Sequence, residues 1–467
     1  MRHPMFQFDE QMAELVLGYC RDRLALDPVP LDFGGYAPNL QDALEGLINP
    51  EGNEAGKVLE LFADRIATAV ISPDSPRFLS FIPAAPTKAS LLFDMVVSCS
   101  SLHATSWLEA AGAVTAENQA LSFLADLAGL PAGAGGCFVS GGSAGNLSAL
   151  MVGRDTAATR GRRTARPRIA CTDEAHSSVG KALRVLGVEP YLVPAVDHRL
   201  EGEVLEAALG ADPDGAADVV GVVATAGTTN AGIVDDLAGV AAVARRRRLW
   251  FHVDAAYGGG ALLAPSARPL FAGIEHADSL VVDPHKWLFA PYDCAALLYR
   301  QPSLAKAVHT QDAAYLDAIH DALRSPEAEA LLETGPETGE PWNPSDYAYH
   351  LSRRARGLPL WFSLVVNGTD AYRDAVESVL ETARQAADLV RSTAHTELVR
   401  EPTLSIVLLR RTGWQREDYD AWSARLLAEQ VAFVTPTTWE GEPTARIALL
   451  HPDTTLSVVE EILASMA

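Results

Sequence analysis

The sequence is poor in cysteine and short of positive charge. Its five cysteines (Cys20, Cys99, Cys137, Cys171, Cys294) are scattered over 467 residues, odd in number and never in C-x-x-C spacing. That excludes a disulfide framework or a cysteine zinc site as the organising device, predicts no metal, and fits a reducing cytoplasm. Lys and Arg number 37 against 60 Asp and Glu, a formal net charge of −23. Such a balance argues against nucleic acid or an anionic membrane surface as partner and serves solubility. No uncharged stretch is long enough for a membrane span, and Met1-Arg2-His3-Pro4 is followed by no long apolar run. Neither a membrane helix nor a signal peptide is therefore expected. Internal repeats are also lacking. The one dense basic run, Arg245 to Arg248, closes an Ala/Val-rich helical pattern. Cations favour the C-terminal end of a helix dipole, so the run reads as a helix terminus.

What is present is ample apolar material, 48% of the chain, enough for a large core and for more than one domain. Residues 1–75 read as helical patches joined by Pro/Gly-rich loops such as "DPVPLDFGGYAPN", an N-terminal arm. Over 76–350 short apolar runs alternate with helical segments. Strands alternating with helices imply a mainly parallel sheet covered on both faces. The stretch "SPEAEALLETGPETGEPWNPSDY" is acidic and rich in Pro and Gly, which predicts a mobile loop near 325–350. From 351 a long helical pattern runs through "LSRRARGLPLWFSLVV". Residues 351–467 then form a small C-terminal α+β domain with strand candidates at 404–411 and 444–452.

The unusual residues gather where strands end, which is where open α/β sheets bind ligands. "SGGSAGN" (140–146) falls between a strand and a helix, so backbone N–H groups and the helix dipole favour an anion there, with Ser143 and Asn146 as possible side-chain contacts. His176 in "DEAHSSVG" and the hydroxyls of "ATAGTTN" (224–230) stand at two further strand ends. Asp254 follows the strand "LWFHV", and a buried carboxylate there needs a cationic or N–H partner. Lys286 lies in "DPHKW" between two apolar runs. Such a lysine either pairs with a carboxylate, here Asp283 or Asp293, or is kept to lose its proton and react. The order of anion cradle, imidazole, threonines, carboxylate and lysine suits a ligand with a phosphate, an aromatic ring, a basic ring nitrogen and an aldehyde. Pyridoxal 5′-phosphate is that ligand.

At these residues the chain resembles the group II pyridoxal-phosphate-dependent amino acid decarboxylases, which include aromatic L-amino acid decarboxylase and glutamate decarboxylase. The stretches that carry the resemblance are "SPRFLSFIP", "SGGSAGNLSAL", "DEAHSSVGKA", "TAGTTNAGIVDD", "HVDAAYGGGALL", "DPHKWL" and "LSRRARGLPLW", in the family's order over about residues 75–365. The resemblance implies an aspartate aminotransferase-like (fold type I) α/β architecture. It also implies a homodimer with active sites at the subunit interface. It places the phosphate at Ser143, Ala144 and Gly145, with His285 bordering it. His176 would stack on the ring, Thr229 lie near its face, Ala256 pack beneath it and Asp254 pair with its nitrogen. Lys286 would be the Schiff-base lysine. Tyr347, in "PSDYAYHLSRR", matches the family's loop tyrosine that protonates Cα, with Tyr349 as a competitor. Two positions depart from aromatic decarboxylases: Gly145 stands where they usually carry serine, and Asp283 where they often carry asparagine. The implied substrate wall is Phe81, Ile82, Pro83 and Ala84, with His103 and Thr105 coming from the neighbouring subunit. This disfavours an acidic substrate and favours an aromatic or other largely apolar L-amino acid. A branched aliphatic or polar one, or an aldehyde synthase or aminotransferase on the same scaffold, is the alternative.

Overall fold

The computed structural model describes residues 3–32, 40–82, 85–316 and 342–467. The chain separates into two compact units, one made of Ala84–Arg384 with Arg400–Val407, the other of Met1–Pro83, Gln385–Val399 and Leu408–Ala467. These limits run differently from the divisions at 75 and 350 read from the sequence. Hydrogen bonds tie the first segment to the last: Leu79 N–H donates to Phe433 O and Ala448 N–H to Leu79 O, both at 2.9 Å. Long-range pairing of this kind leaves no mark on local composition.

The larger unit is built on a seven-stranded sheet. Its strands are β1 (Gly135–Val139), β2 (Arg168–Cys171), β3 (Glu189–Leu192), β4 (Val219–Thr225), β5 (Trp250–Asp254), β6 (Ser279–Val282) and β7 (Ala295–Tyr299), in the order β1-β7-β6-β5-β4-β2-β3. β1, β4, β5, β6 and β7 are buried throughout, as their continuous apolar runs predict for a sheet covered on both faces. β3 had no apolar signature; it is an edge strand, where Pro190 costs no ladder bond on the open side. β7 alone runs against its neighbours, antiparallel to both β1 and β6. The carboxyl ends of β1, β2, β4, β5 and β6 therefore lie along one edge of the sheet.

The helix Gly142–Asp155 follows β1 and packs close to β5 and β6. A Cβ on Gly145 would stand 2.7 Å from Val281, and one on Gly142 would stand 3.0 Å from Ala256. The glycines of "SGGSAGN" thus let the helix approach the sheet, so Gly145 is explained by packing rather than by a lost ligand contact. The basic run ends the helix Leu237–Arg247, with Arg248 left-handed at φ +58°. The expected helix from 351 begins only at Leu358. Ahead of it Arg353 is withdrawn into a buried bidentate pair with Glu117, at 2.7 and 2.9 Å.

The smaller unit holds a four-stranded sheet in the order β10-β11-β9-β8, with β8 (Thr396–Leu398), β9 (Ile406–Arg411), β10 (Thr437–Trp439) and β11 (Glu442–Ala448). β9 and β11 are the two strands anticipated from sequence. Its N-terminal helix Glu10–Leu24 is capped by Asp9, which accepts from Met12 N–H at 3.0 Å, and buries none of its residues.

Candidate active site

A cavity of about 200 Å³ opens along the carboxyl edge of the large sheet. Ser143, His176, Thr229, Asp254, Ala256, His285 and Lys286 all line it, joined by Asn146, Ser178 and Asp283. Residues spread over more than 140 positions converge because each follows a strand whose end lies on that edge. Ala144 and Gly145 are buried in the first turn of the helix that begins there. Gly142 and Ser143, also in that turn, line the cavity, and the first N–H groups of a helix have no partner within it.

Lys286 meets both readings of a buried lysine. Its Nζ lies 2.9 Å from Asp283 Oδ2, and it also faces the cavity. Asp283 is 2% exposed. Burial opposes its charge, but the Lys286 ammonium and His285 outweigh that and hold its carboxyl down at about 2. Lys286 is raised in turn: burial works against its proton, and the Asp283 carboxylate more than offsets it. Among the described residues Asp283 Oδ1 has no hydrogen-bond partner. His285 is oriented from behind, its Nδ1 accepting from Cys294 N–H at 2.9 Å. Its Nε2 lies 3.4 Å from Asp283 Oδ2.

Asp254 ends β5, and Ala256 N–H donates to its Oδ1 at 3.1 Å. Asn146 Nδ2 donates to its Oδ2 at 2.8 Å. Asn146 therefore turns toward the carboxylate, not toward the anion cradle expected of it. Behind it stands His252, fully buried, held low at about 4 by burial against the opposing pull of Asp254. His252, Ser178 and Tyr292 were not anticipated. Tyr292, its ring 4.8 Å from that of His285, lies in "WLFAPYDC" with no periodic or strand-end signal. His252 sits inside a strand, where a histidine reads as filler.

Several expected residues lie elsewhere. Tyr347 is 4% exposed, packed in an apolar cluster with its ring stacked 4.2 Å from Trp342. Its backbone carbonyl accepts from Tyr299 Oη. It does not line the cavity, and it is not on an exposed loop; Trp342 and Pro344 anchor the end of a stretch that composition alone marked as unanchored. Tyr349 is half-exposed, its N–H bonded to Ser148 Oγ. Residues 325–341 of the expected loop, like Pro83 and Ala84, lie outside the described residues. Phe81 is 62% exposed at φ +53°, its ring 6.0 Å from that of Phe433, while Ile82 is buried. His103 and Thr105 are hydrogen-bonded to each other at 2.9 Å, and neither lines the cavity.

The donor set fits pyridoxal 5′-phosphate. An amine faces a carboxylate across one cavity, a helix N-terminus opens into it, and an imidazole and a methyl group complete the lining. A neutral sugar or a metal ion would not call for this combination.

The description "Pyridoxal-dependent decarboxylase conserved domain" matches residues 39–411. The aromatic-L-amino-acid decarboxylase of Bacillus atrophaeus is 28% identical over 438 residues, 91% of this chain and 87% of that protein. The L-2,4-diaminobutyrate decarboxylase of Rhizobium meliloti is 32% identical over 392 residues, 80% and 74% of the two chains. Among solved structures, Oryza sativa TDC with PLP and tryptamine superposes with a TM-score of 0.87 at 24% identity, covering 100% of this chain and 99% of that one. At that identity the likeness is one of fold, here the fold type I architecture. The strand-end cavity with its paired lysine and the match over 39–411 agree, and the chain belongs to the pyridoxal-dependent decarboxylases, enzymes that remove CO2 from amino acids with pyridoxal 5′-phosphate.

Proposed function

We propose that the substrate is an aromatic or other largely apolar L-amino acid, and that Lys286, Asp254 and His176 carry its decarboxylation. The observation that supports this most is their convergence in one cavity with Lys286 held against Asp283. Bound there, the cofactor supplies an aldehyde for amines and a ring that accepts the electron pair left by departing CO2. Lys286 would hold it through its amine. Asp254, held by two N–H donors, would pair with the ring nitrogen. The N–H groups of Gly142 and Ser143 and the Ser143 hydroxyl would hold the phosphate, with Ala144, Gly145 and His285 beside them. His176, Ala256 and Thr229, which line the cavity, would hold the ring.

The active unit is a homodimer that works in the cytoplasm, with His103 and Thr105 completing the neighbour's site and Phe81, Ile82, Pro83 and Ala84 forming the substrate wall. The helix Glu10–Leu24 supports the dimer, because it leaves Met12, Leu15, Val16 and Leu17 exposed within the chain. Sedimentation should give twice the chain mass, and Leu17→Glu should move it toward one chain. The 32% identity to a diaminobutyrate decarboxylase favours a short cationic amino acid as the second reading. One assay separates them: amine and CO2 formation across the common L-amino acids and L-2,4-diaminobutyrate, with cofactor added. Turnover confined to diaminobutyrate would overturn the aromatic reading, and aldehyde with ammonia in place of amine would overturn decarboxylation as the sole outcome. Borohydride should fix the cofactor on Lys286; a label on Lys88 or Lys181 would refute the site.

A further inference from the structure

We infer that Asn146 is a positioning residue that sets Asp254 and His176 together, as a fork whose handle is His252. The geometry leaves one arrangement of protons. A carboxylate only accepts, so the atom 2.8 Å from Asp254 Oδ2 must be the Asn146 amide nitrogen. The Asn146 carbonyl oxygen is thereby turned to His252 Nε2, at 2.9 Å, and that nitrogen must carry the hydrogen. His252 Nδ1 is then an acceptor, and Ser279 Oγ–H donates to it at 2.8 Å. Ser279 Oγ in turn accepts from Trp250 Nε1–H at 2.8 Å. On the other side, the second amide hydrogen of Asn146 goes to Ser178 Oγ at 3.0 Å. The single hydrogen of Ser178 Oγ goes to His176 Nδ1 at 2.8 Å. Ser178 N–H points at the same nitrogen, at 3.3 Å. His176 Nδ1 is filled, so its hydrogen sits on Nε2.

Asn146 is 1% exposed, His252 is fully buried, and Ser178 and Ser279 are 6% and 1% exposed. Both amide hydrogens and the carbonyl oxygen of Asn146 are used, with none exchanged with water. Side-chain networks that are fully satisfied in this way hold one geometry. The consequence is chemical as well as mechanical. The orientation of the Asp254 carboxylate and the tautomer of His176 are linked through one amide. Neither can change without leaving a buried donor or acceptor unpaired.

The test is Asn146→Asp, near-isosteric and selective. Its Oδ1 still accepts from His252, but the hydrogen to Ser178 is gone and the two facing carboxyls share one proton. Ser178 Oγ–H is then drawn to the new carboxylate and released from His176. In the full-length protein labelled with 15N-histidine, the wild type should show Nε2–H tautomers for both His176 and His252. The variant should shift His176 toward Nδ1–H and leave His252 unchanged. Affinity for pyridoxal 5′-phosphate, followed by its visible absorption, should fall roughly 10- to 100-fold as Asp254 exchanges an amide donor for a carboxyl with which it must share a proton. An Nδ1–H tautomer for wild-type His176, or a variant that leaves the His176 signals unmoved, would overturn the fork. The affinity arm rests on the pairing of Asp254 with the ring nitrogen. A moved His176 with unchanged affinity would uphold the fork and count against that pairing instead. Should Asn146→Asp not fold, Ser178→Ala gives the same decision: with only the Ser178 N–H at 3.3 Å left on Nδ1, the His176 signals should shift while those of His252 stay.

Discussion

Two carboxylates divide the work of this site by their partners. Asp254 is held by an amide and a backbone N–H and lines the cavity. Replacing it with asparagine should cost at least ~10²-fold in turnover, the scale of removing one preorganised electrostatic partner, with folding intact by circular dichroism. Asp283 is committed to Lys286 and His285. It raises Lys286, so the lysine keeps its proton to higher pH than an ordinary one. A lysine must be neutral to attack an aldehyde. Asp283→Asn should therefore move the midpoint for attachment of the cofactor to lower pH, read from the growth of visible absorbance after mixing. A midpoint that stays in place would mean that the ion pair does not govern the lysine.

At the scale of elements, the close fit of the helix Gly142–Asp155 against β6 explains why Gly145 carries no side chain. Gly145→Ser would put an atom 2.7 Å from Val281. Overpacking of this sort costs about 1–3 kcal/mol, and urea unfolding should show it as a lower midpoint with unchanged slope. Tyr347 belongs to the same scale, because its ring is part of a stack with Trp342. Tyr347→Phe keeps that stack and should still yield amine; a switch to aldehyde would restore it as the proton donor. The resemblance around "PSDYAYHLSRR" pointed to a loop tyrosine, but chain composition does not report that Trp342 turns back onto β1, where its Nε1–H donates to Gly136 O at 3.0 Å.

For the whole molecule, buried imidazoles set how stability responds to acid. Burial pushes His252 from its ordinary 6.5 to about 4, and burial with Arg353 does the same to His350. Between pH 6.5 and 4 the unfolded chain binds protons that the native one refuses. Their contribution is full above pH 6.5 and is lost as pH falls through that window, roughly 2–3 kcal/mol for each. Asp235 runs the other way: burial raises it to about 7, so the native chain keeps a proton that the unfolded one has released, and stability falls as pH rises toward 7. The two imidazoles outweigh the one carboxyl, so the urea midpoint should drop from pH 6.5 to 4.5. His350→Gln should flatten that drop, and an unchanged slope would show that His350 is not held neutral.

Local pattern determined the strands that are buried on both faces, because a run such as Val219 to Ala224 has no polar side chain to leave in water. It determined the helix end at Arg245 to Arg248 and the strand-end places of Asp254, His176 and Lys286, because turn chemistry and charge act over a few residues. The tertiary structure alone decided which carboxylate takes Lys286, choosing Asp283 over Asp293, and which group Asn146 serves. It also decided that Tyr347 is buried, that Phe81 packs with Phe433, and that Leu79 pairs with Phe433 and Ala448. Each of these is a contact between residues far apart in the chain or a choice among neighbours of equal reach. Such choices are made by which strand lies beside which, and sequence spacing carries no record of that.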